Sequence, residues 1–112
     1  MENAKFNLLR RAMSAYVQRR RALSSNLSNI DTPGYERLSV TFEEELQEAR
    51  RSTADLRRPE AVEGRLEVGD EPPVLEDELM SLADTQMRTQ LATRALREHF
   101  GLMRTGITGR AG

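Results

Sequence analysis

The chain predicts a mainly α fold: two long helices, one near each end, in an antiparallel coiled-coil-like pair, joined by an irregular segment with a short strand and a short helix. Three observations carry that prediction. Charged side chains make up 31% of the 112 residues, in the Ala-, Glu-, Leu- and Arg-rich mixture typical of long helices. Apolar residues recur at alternating steps of three and four over residues 6–30 and 75–107, the period of a helix that presents a seam to a partner. All four prolines, at positions 33, 59, 72 and 73, fall between those stretches, where they exclude a continuous helix. Residues 1–30 and 74–112 are expected to form one helical core domain, with residues 31–73 connecting them.

In the first stretch the seam runs through Phe6, Leu9, Met13, Tyr16, Arg20, Leu23, Leu27 and Ile30, with Arg20 its polar interruption. This helix is basic. Lys5, Arg10, Arg11, Arg19, Arg20 and Arg21 stand against Glu2, whereas residues 31–73 hold twelve acidic and six basic side chains. A nucleic-acid reader would pair such a basic helix with aromatic or Gly-rich elements, and neither accompanies it. A transit peptide would lose its pattern after a cleavage point, and the pattern continues to Ile30.

At the end of this helix stands "SSNLSNIDTPGY", residues 24–35. Leu23, Leu27 and Ile30 continue the seam, so Ser25, Ser28 and Asn29 fall on another face, with Asn26 to one side. Short side chains there let a second backbone come close, and amides can bond across such a contact. Pro33 biases Thr32 out of the helical region, and Pro33-Gly34 fits the centre of a type II turn, whose third residue needs positive φ. Beyond it, Leu38, Val40 and Phe42 alternate with Ser39 and Thr41 as a short strand, and "FEEELQEAR" suits a short amphipathic helix. From Ser52 to Pro73 the sequence reads as an extended or mobile loop of mixed charge.

Pro72 and Pro73 then suit a helix start, with Glu76, Asp77 and Glu78 complementing the positive end of its dipole. The second seam is Leu75, Leu79, Leu82, Gln86, Thr89, Thr93, Leu96, Phe100, Met103 and Ile107, apolar at both ends and polar in the middle. Aligning Ile30 with Leu75 sets Leu27 by Leu79, Leu23 by Leu82, Arg20 by Gln86, Tyr16 by Thr89, Met13 by Thr93 and Leu9 by Leu96. The polar interruptions then meet each other. A second stripe, Met80, Ala83, Met87, Leu91, Ala95 and Leu102, projects to the opposite side of the same helix, and a two-helix chain covers only one of the two.

Chemistry is narrowly bounded. The sequence has no cysteine and a single histidine, His99, which excludes disulfides, thiolate metal sites and the common nucleophile–base pairs. His99, between Glu98 and Phe100, is expected on the helix surface. Glu43, Glu44 and Glu45 are consecutive, so they fan around a helix and do not converge as an acid–base pair. No catalytic, cofactor-binding or metal-binding residue is expected. No apolar run approaches the roughly 20 residues of a membrane helix. With few aromatics and a long connection, an isolated chain is expected to have net stability near zero and to complete its folding in an assembly.

The string Asn26, Asn29, Asp31, Thr32, Pro33, Gly34, Tyr35 closely resembles the N-terminal signature of the bacterial flagellar rod, hook and hook-filament junction proteins, in which a helix ends in Asn-x-x-Asn-x-x-Thr-x-Gly-Tyr or Phe. The following "LSVTFEEEL" resembles the proximal rod branch of that family, and "LEDELMSLADTQMRTQLATRALREHFGLMRTGITGR" is similar to its terminal helix. The resemblance covers both ends of the chain and leaves Ser52–Pro73 unmatched. It implies a non-enzymatic subunit of the periplasmic rod of the basal body, exported unprocessed by the flagellar secretion apparatus. Such a subunit polymerises with itself and other rod proteins into a torque-transmitting tube around an export channel, with the MS ring and export apparatus nearby and no nucleic acid or membrane insertion. It also makes residues 26, 29 and 31–35 an assembly motif. A small regulatory or chaperone-like coiled coil is the alternative, but it has no need of the Asn/Thr-Pro-Gly-Tyr element.

Overall fold

A computed structural model describes residues 2–51 and 62–107. In chain order the elements are helix α1 (Glu2–Ser28), strand β1 (Leu38–Thr41), helix α2 (Glu43–Arg51), strand β2 (Arg65–Val68) and helix α3 (Leu75–Ile107). The fold is mainly helical, with the two long helices packed against each other. The backbone spans 61 × 29 × 15 Å, an elongated shape in which Met80, Met87, Leu91 and Leu102 of α3 stay exposed.

α1 and α3 run antiparallel: Asn26, near the end of α1, bonds Glu78, near the start of α3, and Phe6 lies against His99 and Phe100 at the other end. This offset is within two residues of the alignment drawn from the seams. The faces are rotated, however. The buried residues of α1 are Leu8, Ala12, Ala15, Tyr16, Ala22, Leu23 and Asn26, so the centre of the contact lies one position before the large-residue seam. Alanines there let neighbouring elements approach closely, and the larger Leu9, Met13 and Leu27 flank the contact half-buried. On α3 the buried positions Glu78, Thr85, Ala92 and His99 recur every seven residues.

That rotation overturns the expected Arg20–Gln86 interior pair: both side chains are exposed. The polar centre of α3 is satisfied in another way. The hydroxyls of Thr85, Thr89 and Thr93 donate to the carbonyls of Ser81, Thr85 and Thr89 at 2.8, 2.7 and 2.8 Å. Each threonine thus closes its bond inside its own helix.

The strand expected from Leu38 is β1, and the helix in "FEEELQEAR" is α2. Phe42, between them, is fully buried, with Tyr16 edge-on at 5.0 Å and the Arg19 guanidinium 4.7 Å above its ring. Burying a phenylalanine contributes about 1.5–3 kcal/mol. The expectation of an extended loop from Ser52 to Pro73 is corrected over its described part. Val62 is fully buried, and Arg65–Val68 pairs antiparallel with β1, setting Leu38 opposite Val68 and Val40 opposite Leu66. Arg65–Val68 alternates charged and apolar residues over only four positions, too short a signal to stand alone, and its pairing depends on a partner far away in sequence. Gly64 permits the approach, because a Cβ there would stand 2.5 Å from Gln18 Oε1 and 3.0 Å from Val40 Cγ1. Residues 52–61 and 108–112 lie outside the described residues.

Candidate functional site

The serine- and asparagine-rich end of α1 builds a polar clasp. Asn26 is fully buried, and its amide acts as a short piece of strand. Its Nδ2 donates to the Leu38 carbonyl at 2.8 Å and its Oδ1 accepts from the Leu38 N–H at 2.9 Å. The second Nδ2 hydrogen goes to Glu78 Oε1 at 2.6 Å. Glu78, also fully buried, accepts from Arg37 Nε at 2.8 Å through its other oxygen. One side chain therefore ties α1, β1 and α3 together, and Glu78 is held by a neutral donor and a cation. Breaking a buried pair of this kind is far more costly than forming it is favourable, because the survivor stays desolvated.

Asn29 finishes the helix. Its Nδ2 donates to the Ser25 carbonyl at 2.9 Å, which also accepts the Asn29 N–H at 3.1 Å, so the side chain doubles the last helical bond. Its Oδ1 accepts from the Thr32 hydroxyl at 3.1 Å. The chain then reverses. The Tyr35 N–H donates to the Thr32 carbonyl at 3.2 Å, and Gly34 has φ +78°, the signature of a type II turn with Pro33 before the glycine. The turn carries Tyr35 back to α1, where its hydroxyl meets Ser25 Oγ at 2.7 Å. Of the motif residues, Asn26 is buried, Asn29 and Tyr35 are half-buried, and Asp31, Thr32, Pro33 and Gly34 are exposed.

A second polar bridge went unnoticed in the sequence. Arg19 donates to the Val40 carbonyl from Nε and Nη2 at 3.1 and 2.7 Å and pairs with Glu43 at 2.6 Å. Burial would raise the Glu43 carboxyl, but the hydrogen bond and charge of Arg19, with the Phe42 and Glu43 N–H groups, hold it below its usual range. The signal was present: Arg19 lies seven residues before Asn26, on the stripe with Ala12, Ala15 and Ala22. The larger residues of the adjacent seam outweigh this stripe in the apolar pattern.

The remaining seam residues divide. Tyr16 and Leu23 are buried, Leu9, Met13, Leu27, Leu82, Leu96 and Met103 are half-buried, and Leu79 and Phe100 are 48% and 46% exposed. Met80, Met87, Leu91 and Leu102, from the second stripe, are 72%, 54%, 55% and 70% exposed. His99 departs from its expected surface position: it is 3% exposed, stacked on Phe6, and its Nε2 has no hydrogen-bond partner among the described residues. No helix among the described residues is long and apolar enough to cross a membrane, and no group of potential metal ligands occurs among them.

No curated protein matches the chain. Residues 6–35, which contain Asn26, Asn29 and the Thr32–Tyr35 turn, match the family model described as flagella basal body rod protein. The chain is thus similar to flagellar rod proteins over residues 6–35.

Proposed function

We propose that this chain is a structural subunit of the bacterial flagellar rod, of the proximal type represented by FlgB. It polymerises with itself and with other axial proteins into a periplasmic shaft that transmits torque and encloses the export channel. The observation that carries the reading is that the rod-family match contains Asn26, the α1 member of the clasp, together with Asn29 and the Thr32–Tyr35 turn. The exposed stripe of Met80, Met87, Leu91 and Leu102 supports assembly, since a long apolar strip on one helix is costly to leave wet. In this reading Asn26 sets the angle of the helices inside one subunit. The exposed turn at Asp31, Thr32, Pro33 and Gly34 meets a neighbour, and the half-exposed seam residues Leu79 and Phe100 are covered on assembly.

The test is complementation of a strain lacking its own copy with the Met87→Glu, Leu91→Glu double variant. Both side chains are exposed, so the variant keeps its helicity and export and fails to build rods. Normal motility would overturn the role given to the stripe. Asn29→Leu separates the turn in the same way: export persists and rod assembly is lost. Purified alone, the chain melts broadly, and its helicity rises when partner rod proteins are added. A sharp high-temperature melt of the monomer would contradict folding completed by polymerisation.

A further inference from the structure

The two edges of the small ribbon are treated differently. The Gly69 N–H donates to the Arg37 carbonyl at 2.7 Å, which fixes the phase of the ladder. Arg37, Ser39 and Thr41 direct their backbone groups toward β2, while Leu38 and Val40 direct theirs away. On that inner edge α1 supplies the partners: Asn26 takes the N–H and carbonyl of Leu38, and Arg19 takes the carbonyl of Val40. By the same phase, Leu66 and Val68 direct their backbone groups outward from β2, and nothing among the described residues receives them. Their side chains are uncovered as well. Leu66 and Val68 are 56% and 62% exposed, although Val40, opposite Leu66, is 3% exposed. The apolar face of the ribbon therefore extends past its cover.

We propose that the outer edge of β2 is a docking site for an extended, basic segment of a different protein chain, which adds to the ribbon as a third strand. An open strand edge pairs with any chain that offers matching backbone groups, and side chains decide which chain is accepted. Glu63, Glu67, Asp70 and Glu71, in and next to β2, are all exposed, Glu67 also accepting from the Thr41 hydroxyl at 3.2 Å, and they stand against the single cation Arg65, which already faces Glu45 at 3.2 Å. A strand alternating apolar residues with lysine or arginine covers Leu66 and Val68 on one face and meets the carboxylates on the other. A second copy fits less well. Antiparallel pairing centred on residue 67 sets Glu67 against Glu67. The register that sets Glu67 against Arg65 places Glu63 opposite Gly69 and Asp70 opposite Val62, so neither carboxylate gains a cation. The inference stands apart from the rod reading and survives or fails without it.

The experiment uses the full chain and two short synthetic peptides, one alternating valine and lysine, the other valine and glutamate. Binding is followed by fluorescence anisotropy and by amide exchange at Leu66 and Val68. The lysine peptide binds and slows exchange of both amides by at least about tenfold, and the glutamate peptide does neither. Glu67→Lys weakens the preference for the lysine peptide. Val68→Pro, which removes an outward N–H that an edge strand can spare, keeps the circular dichroism spectrum and loses binding. No binding, binding that leaves the two amides unprotected, equal binding of both peptides, or a dimer that protects the same amides would each overturn the proposal.

Discussion

The two ends of the α1–α3 pair are held by different physics. At one end Asn26, Glu78, Arg37 and Leu38 are joined by hydrogen bonds of 2.6 to 2.9 Å, and Asn26 and Glu78 are sealed from water. At the other, Phe6, His99 and Phe100 meet through rings 5.4 to 6.2 Å apart, the His99 Nε2 is buried without a partner among the described residues, and Phe100 is about half exposed. Hydrogen bonds specify direction and register, and ring contacts tolerate sliding. The clasp end thus fixes the register of the helix pair, and the aromatic end follows it.

The largest way to break this contrast is Asn26→Ala. It leaves the buried Glu78 Oε1 and both half-buried backbone groups of Leu38 unpaired, and the expected cost is about 3 kcal/mol. Amide exchange at Leu38 in the chain supplemented with partner rod proteins reads it, since the isolated chain has too little net stability for a urea transition. A loss no larger than that of an exposed alanine substitution would remove the clasp from the account.

Gly34→Val comes next. Nothing lies within 4 Å of the Cβ position, so the penalty is purely the backbone's, about 2 kcal/mol for a β-branched residue held at φ +78°. It loosens the Tyr35–Ser25 contact while α3 stays helical, which site-resolved exchange reports. In complementation it blocks rod assembly.

His99→Leu sharpens the comparison from the other side. Removing an unpartnered buried nitrogen is expected to stabilise by about 1 kcal/mol. A loss as large as that of Asn26→Ala would make the two ends equivalent.

Acid gives the smallest effect. The Glu43 carboxyl is held low chiefly by Arg19, against the opposing effect of burial. Its contribution is therefore present above the ordinary carboxylate pKa and fades as pH falls through the lowered value. The Glu43 side chain is 47% exposed, so water screens the pair, and the loss is under about 1 kcal/mol. Glu43→Gln should flatten this pH dependence of α2 amide protection; an unchanged profile would assign it to another carboxylate.

Much of the architecture was legible because it rests on local rules. The alternating three-and-four spacing marked both long helices, Pro33-Gly34 marked the turn, and Leu38-x-Val40-x-Phe42 marked β1. The offset of the helix pair followed from the same spacing. Its facing did not, since large apolar residues drew the seam one position away from the alanine stripe that carries the close contact. Of the site, Asn26 and Asn29 stood out, but their bonds run within the chain, and an amide that bonds a strand and one that bonds a neighbour look identical in sequence.

By itself, the sequence determined that two long helices must form, where the first must stop, and that more apolar surface exists than two helices can cover. Periodicity, proline and glycine act within a few residues, and no partner is needed to read them. Only the tertiary structure decided that Arg19 and Asn26 take the backbone of β1, that Glu78 is sealed between Asn26 and Arg37, and that Arg65–Val68 becomes a strand. Each joins residues more than ten positions apart. Such a bond exists only when close packing excludes water and leaves a polar group with one partner within reach, a condition set by the folded neighbourhood and not by any residue's own preference.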